Sequence, residues 1–265
     1  MKLIESKVEL LIQGNGIEGV YKQIELAGRT CYKSEDKITS ASAKEFTDRM
    51  IKSGHGAMLE HGTIYLTIAK TAANIGDPIF YVRNKYSKVN EDDLFYFITT
   101  NMRVLVENNR LDDLQYQVEP TKFHEKRITV KFICDRGVSH EFVRHRVFSF
   151  AQESTRYCNY SKDKFNNELT FITPTTKEIG AKGQYEPNDT FTVALMQAEK
   201  NYFVLIQEGW KPQQARQVLP NALKTELVMT GFISDWEHFF ELRCSKAAHP
   251  DAQKLANELK ELMHK

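Results

Sequence analysis

The chain has 265 residues, with 36 lysines and arginines against 35 aspartates and glutamates, and a formal net charge of +1. This balance argues against a dedicated nucleic-acid binder, which would usually be more basic, and no apolar run reaches membrane-spanning length. The length suits one domain with a full hydrophobic core. Because the first residues lack the apolar core of a secretory signal, we expect a cytoplasmic protein.

The four cysteines are widely spaced, and no Cys-x-x-Cys pair occurs. This spacing argues against a structural zinc site, and we predict no metal. Reduced thiols in a cytoplasmic protein are the simplest interpretation.

The first seventy residues predict a strand followed by two helices and a second strand. Apolar spacing, glycine stops and a Ser42-x-x-Glu45 capping box set the boundaries. The predicted elements are a strand at 7–13, a helix at 17–27 that stops at Gly28, a loop at 29–34, a helix from Ser42 to Gly54, and a strand at 63–69.

The segment 127–134 alternates apolar and polar residues, as does the strand at 63–69. We expect these two strands to be hairpin-related neighbours in one sheet. The segment 71–127 between them is interpreted as an inserted subdomain that could be helical, with a strand or helix at 93–106 and a short charged helix near 111–116. A lid over the site, an oligomer contact and a neutral insertion all remain open for it.

After this segment the patterns predict several helices. Ser139 is expected to cap a short helix that carries Arg144, His145 and Arg146, with 149–154 leaving it as a loop. Further helices are predicted from Asp189 to about Glu208, from Pro212 through Arg216, from Ser234, and from Pro250 to the end of the chain. The last helix has an apolar stripe that could pack within the subunit or across an interface.

The segment 141–157 concentrates the side chains that suit an anionic ligand. Arg144, Arg146 and Arg156 offer planar forks of donors that match phosphates and carboxylates. A local cluster of arginine and histidine is otherwise a solvated or ion-paired surface, so the residues alone leave both interpretations open.

Four blocks of the chain resemble a known family in the right order. They are Arg144-His-Arg146 followed after seven intervening residues by Ser154 and then by Arg156-Tyr157, His55-Gly-Ala-Met-Leu-Glu60-His61, Arg216-Gln-Val-Leu-Pro220, and Phe239-Phe-Glu-Leu-Arg243. Together they are similar to the flavin-dependent thymidylate synthases. The resemblance implies an α+β fold, a mixed or antiparallel sheet core packed with helices, as a single domain over 1–265 with the insertion at about 71–127.

The resemblance also implies a reaction and its participants. dUMP would be methylated reductively at C5, with methylenetetrahydrofolate as carbon donor and NADPH as reductant through bound FAD. Relatives form homotetramers whose sites are shared between subunits, and no nucleic-acid or membrane partner is implied.

Site residues follow from the same match. The catalytic residue would be Arg243, whose fixed positive charge would stabilise the activated pyrimidine. The FAD-binding residues would be His55, Glu60, Arg144, His145, Arg146, Gln152 and His238. The substrate-binding residues would be Glu141, Arg144, Gln152, Ser154, Arg156, Arg216 and Arg243.

Several positions depart from the family pattern. Glu141 stands where relatives often have glutamine, and His238 where they often have asparagine. Phe232 and Ser234 replace an Asn-x-Arg pair. These departures put the cofactor contacts of the last block in doubt.

Three other functions are compatible with the sequence. The same scaffold could act on dCMP or leave a hydroxymethyl group, since a fold does not fix a substrate. A nucleotide- or RNA-binding module could use the three arginines with Tyr157 and Tyr160 as stacking platforms. A metal site is the weakest of the three; it would draw on His55, His61, His140 and His145.

Overall fold

The computed structural model describes residues 1–71, 78–162, 165–175 and 189–264. Within these ranges, sheets pack against helices, which confirms the predicted α+β class. No helix in the described part of the chain is both long and apolar enough to cross a bilayer. The four cysteines are thiols rather than disulfides.

The strands described form three sheets. In chain order they are β1 (Lys2–Ile4), β2 (Lys7–Leu11), β3 (Thr63–Ala69), β4 (Lys88–Glu91), β5 (Phe95–Asn101), β6 (Arg127–Asp135), β7 (Ser149–Gln152), β8 (Thr170–Ile172) and β9 (Lys224–Phe232). The largest sheet has the order β2-β6-β9-β7, and every neighbouring pair in it is antiparallel. A second antiparallel sheet has the order β3-β5-β4, and β1 pairs in parallel with β8.

The helices cover the sheets and close three apolar clusters. They are α1 (Gly16–Tyr32), α2 (Ser42–Lys52), α3 (Gly56–Leu59), α4 (Pro78–Arg83), α5 (Met102–Glu107), α6 (Arg136–Phe142), α7 (Thr190–Gln207), α8 (Pro212–Ala215), α9 (Ile233–Arg243) and α10 (Pro250–Met263). Short 3₁₀ turns lie at Glu35–Lys37, Leu111–Tyr116 and Arg216–Val218.

The two long helices of the C-terminal half agree with the prediction. Asp189 caps α7, because its side chain accepts the backbone N–H of Thr192. In α10, Ala252, Leu255 and Leu259 are fully buried in the cluster that also contains the largest sheet. The apolar stripe of the last helix therefore packs within the subunit.

β9 is the central strand of the largest sheet, although no strand is predicted at 224–232. It pairs with β6 over nine residues and with β7 over four. Leu227 and Met229 face α9 and α10, whereas Val228 packs on the other face against Ala27 and Ala151. Because both faces are covered by apolar neighbours, the strand lacks the alternation that reveals a half-exposed strand.

The helix predicted to stop at Gly28 continues to Tyr32, so that expectation is wrong. Gly28 is buried, and a Cβ atom placed on it would lie 2.4 Å from Cζ of Phe46. Glycine is present here because α1 and α2 approach closely at this point. The chain turns only at Lys33, which has a left-handed backbone (φ 48°).

β3 and β6 are not neighbours in one sheet, as the sequence predicts, since they belong to different sheets. The intervening segment itself supplies β5, which pairs with β3 along seven residues, and β4. The predicted strand or helix at 93–106 is confirmed as β5 followed by α5, and the short helix near 111–116 as a 3₁₀ turn, but the described part is not wholly helical. Residues 72–77 of the segment lie outside the described ranges.

The central motif folds differently from its prediction. Asp135, rather than Ser139, caps α6, and its side chain accepts the backbone N–H of Val138. The helix ends at Phe142, so Arg144, His145 and Arg146 lie in the turn that follows. Residues 149–152 form strand β7 instead of a loop, because they pair with β9, a strand that the sequence does not predict.

We predict that Gly28→Ala lowers the free energy of unfolding by about 1–3 kcal/mol, since the added methyl group collides with Phe46. The collision outweighs the gain of about 1 kcal/mol in helix propensity. Urea denaturation measures the change. In a Phe46→Leu background the same substitution should cost less; an equal cost in both backgrounds would contradict the proposed collision.

Candidate active site

Arg243 is the last residue of α9 and is held by groups from α6 and the turn after it. Its Nε donates to Nε2 of His145 at 2.9 Å, and its Nη1 donates to a carboxylate oxygen of Glu141 at 2.9 Å. Nη2 donates to the backbone oxygen of Glu141 at 2.6 Å. Of the five N–H donors of a guanidinium, these three bonds leave two for a ligand.

His145 is neutral in this arrangement. It is 7% exposed, and burial, together with Arg243 and His238, lowers its pKa from 6.5 to about 4. Since Nε2 accepts the Arg243 bond, the proton of the imidazole must lie on Nδ1. His145 thus orients the guanidinium without adding a second positive charge beside it.

Glu141 bridges the partly buried Arg243 and an exposed arginine. Its other carboxylate oxygen lies 3.5 Å from Nη1 of Arg144, whose side chain is 69% exposed. Gly137, His140, Glu141 and Arg144 have the spacing of one helical face, and all four border a cavity of about 520 Å³. The opposite wall of this cavity is contributed by Asn221, Ala222, His249 and Asp251.

Ser154, Arg156 and Arg216 meet around the turn that follows β7. The backbone N–H of Ser154 donates to the carbonyl oxygen of Cys31 at 3.0 Å, which fixes the turn on the end of α1. Arg156 donates to Gln213 at 3.3 Å, and Arg216 donates to the hydroxyl of Thr155 at 2.9 Å. Both guanidiniums are exposed and have neutral partners, as a phosphate-binding role requires.

His55 is placed beside the same turn. Its Nδ1 lies 3.4 Å from the hydroxyl of Tyr32, whose ring lies 5.4 Å from the ring of Tyr157. The sequence places His55 at the exit of a helix, and in the structure it caps the four-residue helix α3.

The other expected cofactor residues lie apart from this turn. Glu60 pairs with Arg103 at 2.5 Å, and Gln152 donates to Ser139 and Thr225. His238 is exposed and contacts Glu241 at 3.2 Å. No contact within the described residues joins Glu60 to Arg144.

The residues present fit the flavin that the resemblance implies. Exposed side chains surround the buried His145 and the partly buried Arg243; they are Arg144, Arg146 and His238. Exposed guanidiniums suit the pyrophosphate of a dinucleotide. No group of three or more His, Cys, Asp or Glu in the described ranges is placed to hold a metal ion.

A buried ion network beside Ser154 is absent from the sequence prediction. Nζ of Lys33 and Nζ of Lys224 each lie 2.6 Å from Glu226, and Lys224 also lies 2.8 Å from Glu153. Although burial alone would raise the pKa of Glu226, the two lysines lower it to about 2. The only signal in the sequence is the alternation of charges at Lys224 and Glu226 on an otherwise apolar strand.

A family model described as thymidylate synthase complementing protein matches residues 107–265. Three flavin-dependent thymidylate synthases are similar to the chain. That of Mycobacterium sp. (strain JLS) is 31% identical over 90% of this chain and 74% of its own length. That of Corynebacterium aurimucosum is 25% identical over 88% and 71%. That of Geobacter sulfurreducens is 31% identical over an aligned region that covers 48% of this chain and 52% of that relative's length.

A solved structure, a UMP/dUMP methylase from Streptomyces cacaoi bound with 5-Br dUMP, aligns over 99% of this chain and 90% of the methylase chain. The two are 18% identical, with a TM-score of 0.45.

We predict that acid destabilises the protein partly through His145. Its pKa is about 4 in the folded chain and about 6.5 when unfolded, so the unfolded state takes up the proton first as the pH falls. The stability held above pH 6.5 is therefore lost progressively down to pH 4, by up to about 3 kcal/mol. Thermal unfolding of His145→Gln between pH 7 and pH 4 should show a shallower decline; a decline equal to that of the parent would contradict the assignment.

Proposed function

The chain belongs to the flavin-dependent thymidylate synthase family, and on this premise we propose that it converts dUMP to dTMP. Methylenetetrahydrofolate supplies the carbon, NADPH supplies the electrons, and FAD is the bound cofactor. The observation that carries the proposal is the fixed, half-satisfied guanidinium of Arg243, which is held by Glu141 and His145.

Arg243 acts on the pyrimidine through its charge. C5 of uracil becomes nucleophilic when negative charge builds up on N3 and O4, and a guanidinium beside the ring stabilises that charge. A position fixed by three hydrogen bonds lowers the cost of reorganisation when the charge develops. Glu141 keeps the arginine in place and contributes an acceptor at the edge of the nucleotide site.

Ser154, Arg156 and Arg216 bind the phosphate of dUMP. Ser154 has no general base beside it in the described structure, so we assign it to binding rather than to nucleophilic catalysis. The buried network of Lys33, Lys224 and Glu226 supports the turn that presents it.

The FAD is held by seven residues, which are Arg144, His145, Arg146, His238, Gln152, His55 and Glu60. When bound, the flavin supplies the reducing equivalents of the methylation. Within this group His145 acts through Arg243, since its side chain is buried behind the guanidinium.

We also propose a homotetramer whose sites are shared between subunits. Glu60 and His55 of one subunit would then complete a site with Arg144 and Arg146 of another. We further propose a cytoplasmic location, and an insertion at about 71–127 within a single domain.

The product mass tests the function. We expect purified protein, incubated without oxygen with FAD, NADPH, methylenetetrahydrofolate and dUMP, to form a nucleotide heavier than dUMP by one methylene unit. A parallel reaction with dCMP is the control for base specificity. A hydroxymethylated product, or turnover of dCMP alone, would contradict dTMP synthesis while keeping the scaffold. Protein that purifies without flavin and forms no product would contradict the enzymatic assignment.

We expect Arg243→Ala to lower turnover by about 100-fold or more, because it removes the charge that stabilises the activated ring. Bound flavin should be retained, as measured by its visible absorbance. Arg243→Lys keeps the charge but not the fork, and should recover only part of the rate. Arg83→Ala, at an exposed arginine at the end of α4, is the matched control. Full turnover by Arg243→Ala would refute this role.

A further inference from the structure

Arg136, the first residue of α6, is not part of any block that resembles the family, yet it borders a second cavity together with Arg216. This cavity has a volume of about 250 Å³ and is also lined by Thr155, the neighbour of Ser154 and Arg156. Two arginines therefore border one small space beside the turn expected to bind phosphate.

The guanidinium of Arg136 is incompletely satisfied. Its Nη1 is buried and has no hydrogen-bond partner within the described residues. A buried donor without a partner costs about 1–3 kcal/mol. An acceptor that enters the cavity and reaches Nη1 would offset this cost.

The positive charge around this cavity is not neutralised from within. Arg156 and Arg216 donate to Gln213 and Thr155, both neutral. In the described part of the chain, no carboxylate lies within ion-pair distance of these two arginines or of Arg136. The nearby buried carboxylates, Glu153 and Glu226, are instead paired with lysines.

The two cavities are placed for the two ends of one nucleotide. Asn221 borders both of them, and α6 contributes Arg136 to the smaller cavity and Gly137, His140 and Glu141 to the larger. Five residues of helix separate Arg136 from Glu141, or about 7.5 Å along the axis. A pyrimidine near Glu141 and Arg243 would thus have its phosphate near Arg136.

We propose that Arg136 is a further substrate-binding residue, which binds the phosphate of the nucleotide together with Arg216. The proposal rests on the proposed function for the identity of the nucleotide, but not for the chemistry of the site. In this arrangement α6 binds both ends of the substrate: Arg136 binds the phosphate and Glu141 binds the base.

Calorimetric titration with dUMP and with deoxyuridine, which lacks the phosphate, tests the proposal. Arg136→Met should weaken dUMP binding by about 10- to 100-fold, as expected for a lost charged hydrogen bond, and leave deoxyuridine binding unchanged. Arg136→Lys should cause an intermediate loss, since it keeps the charge without the fork. Arg83→Met is the matched control, and thermal unfolding verifies that each variant is folded.

The outcomes separate this proposal from the assigned reaction. dUMP binding by Arg136→Met within twofold of the parent would overturn it, even if the enzyme makes dTMP. An equal loss of dUMP and deoxyuridine binding would also overturn it, because a structural defect would be the cause. If the parent binds inorganic phosphate but not dUMP, and Arg136→Met abolishes phosphate binding, the phosphate site at Arg136 is supported. The same result would refute dUMP as the nucleotide.

Discussion

The candidate site depends on a match of lengths between one β-ladder and two helices. β6 and β9 pair over nine residues, a ladder of about 30 Å. α6 starts from one end of this ladder and α9 from the other, and both pack on the same face around Phe132. Their combined length is about 27 Å, so their C-terminal ends meet. Arg243 finds Glu141 and His145 at this meeting point.

Lysines and arginines have separate tasks in this part of the fold. Lys33 and Lys224 are compact charges that neutralise buried carboxylates, including Glu226, and so stabilise the interior. The arginines around the adjoining turn keep neutral partners and remain available for a ligand. Because the carboxylates are already neutralised, the positive potential of the turn is preserved for an incoming anion.

The sequence predicts the chemical groups of the site better than their arrangement. The blocks that contain Arg144, Ser154 and Arg243 were recognisable from their spacing, and the capped helix at Asp189 from local chemistry. The bond between Arg243 and Glu141 joins residues 102 positions apart and has no local signal. β9 was not predicted because it is buried on both faces. The loop predicted after Gly28 was wrong because close packing, rather than a turn, requires that glycine.

The position of β9 in the chain also constrains how the molecule is made. The ribosome releases β2, β6 and β7 well before residues 224–232. β9, an inner strand of the largest sheet, is therefore the last of its strands to be synthesised. Until then β6 and β7 have unpaired edges where β9 will lie, and such edges favour association with other chains. A stalled nascent chain that ends before Lys224 would therefore be prone to aggregate and to recruit chaperones. The long sequence separations of the β2–β6 and β6–β9 pairings also predict slow refolding.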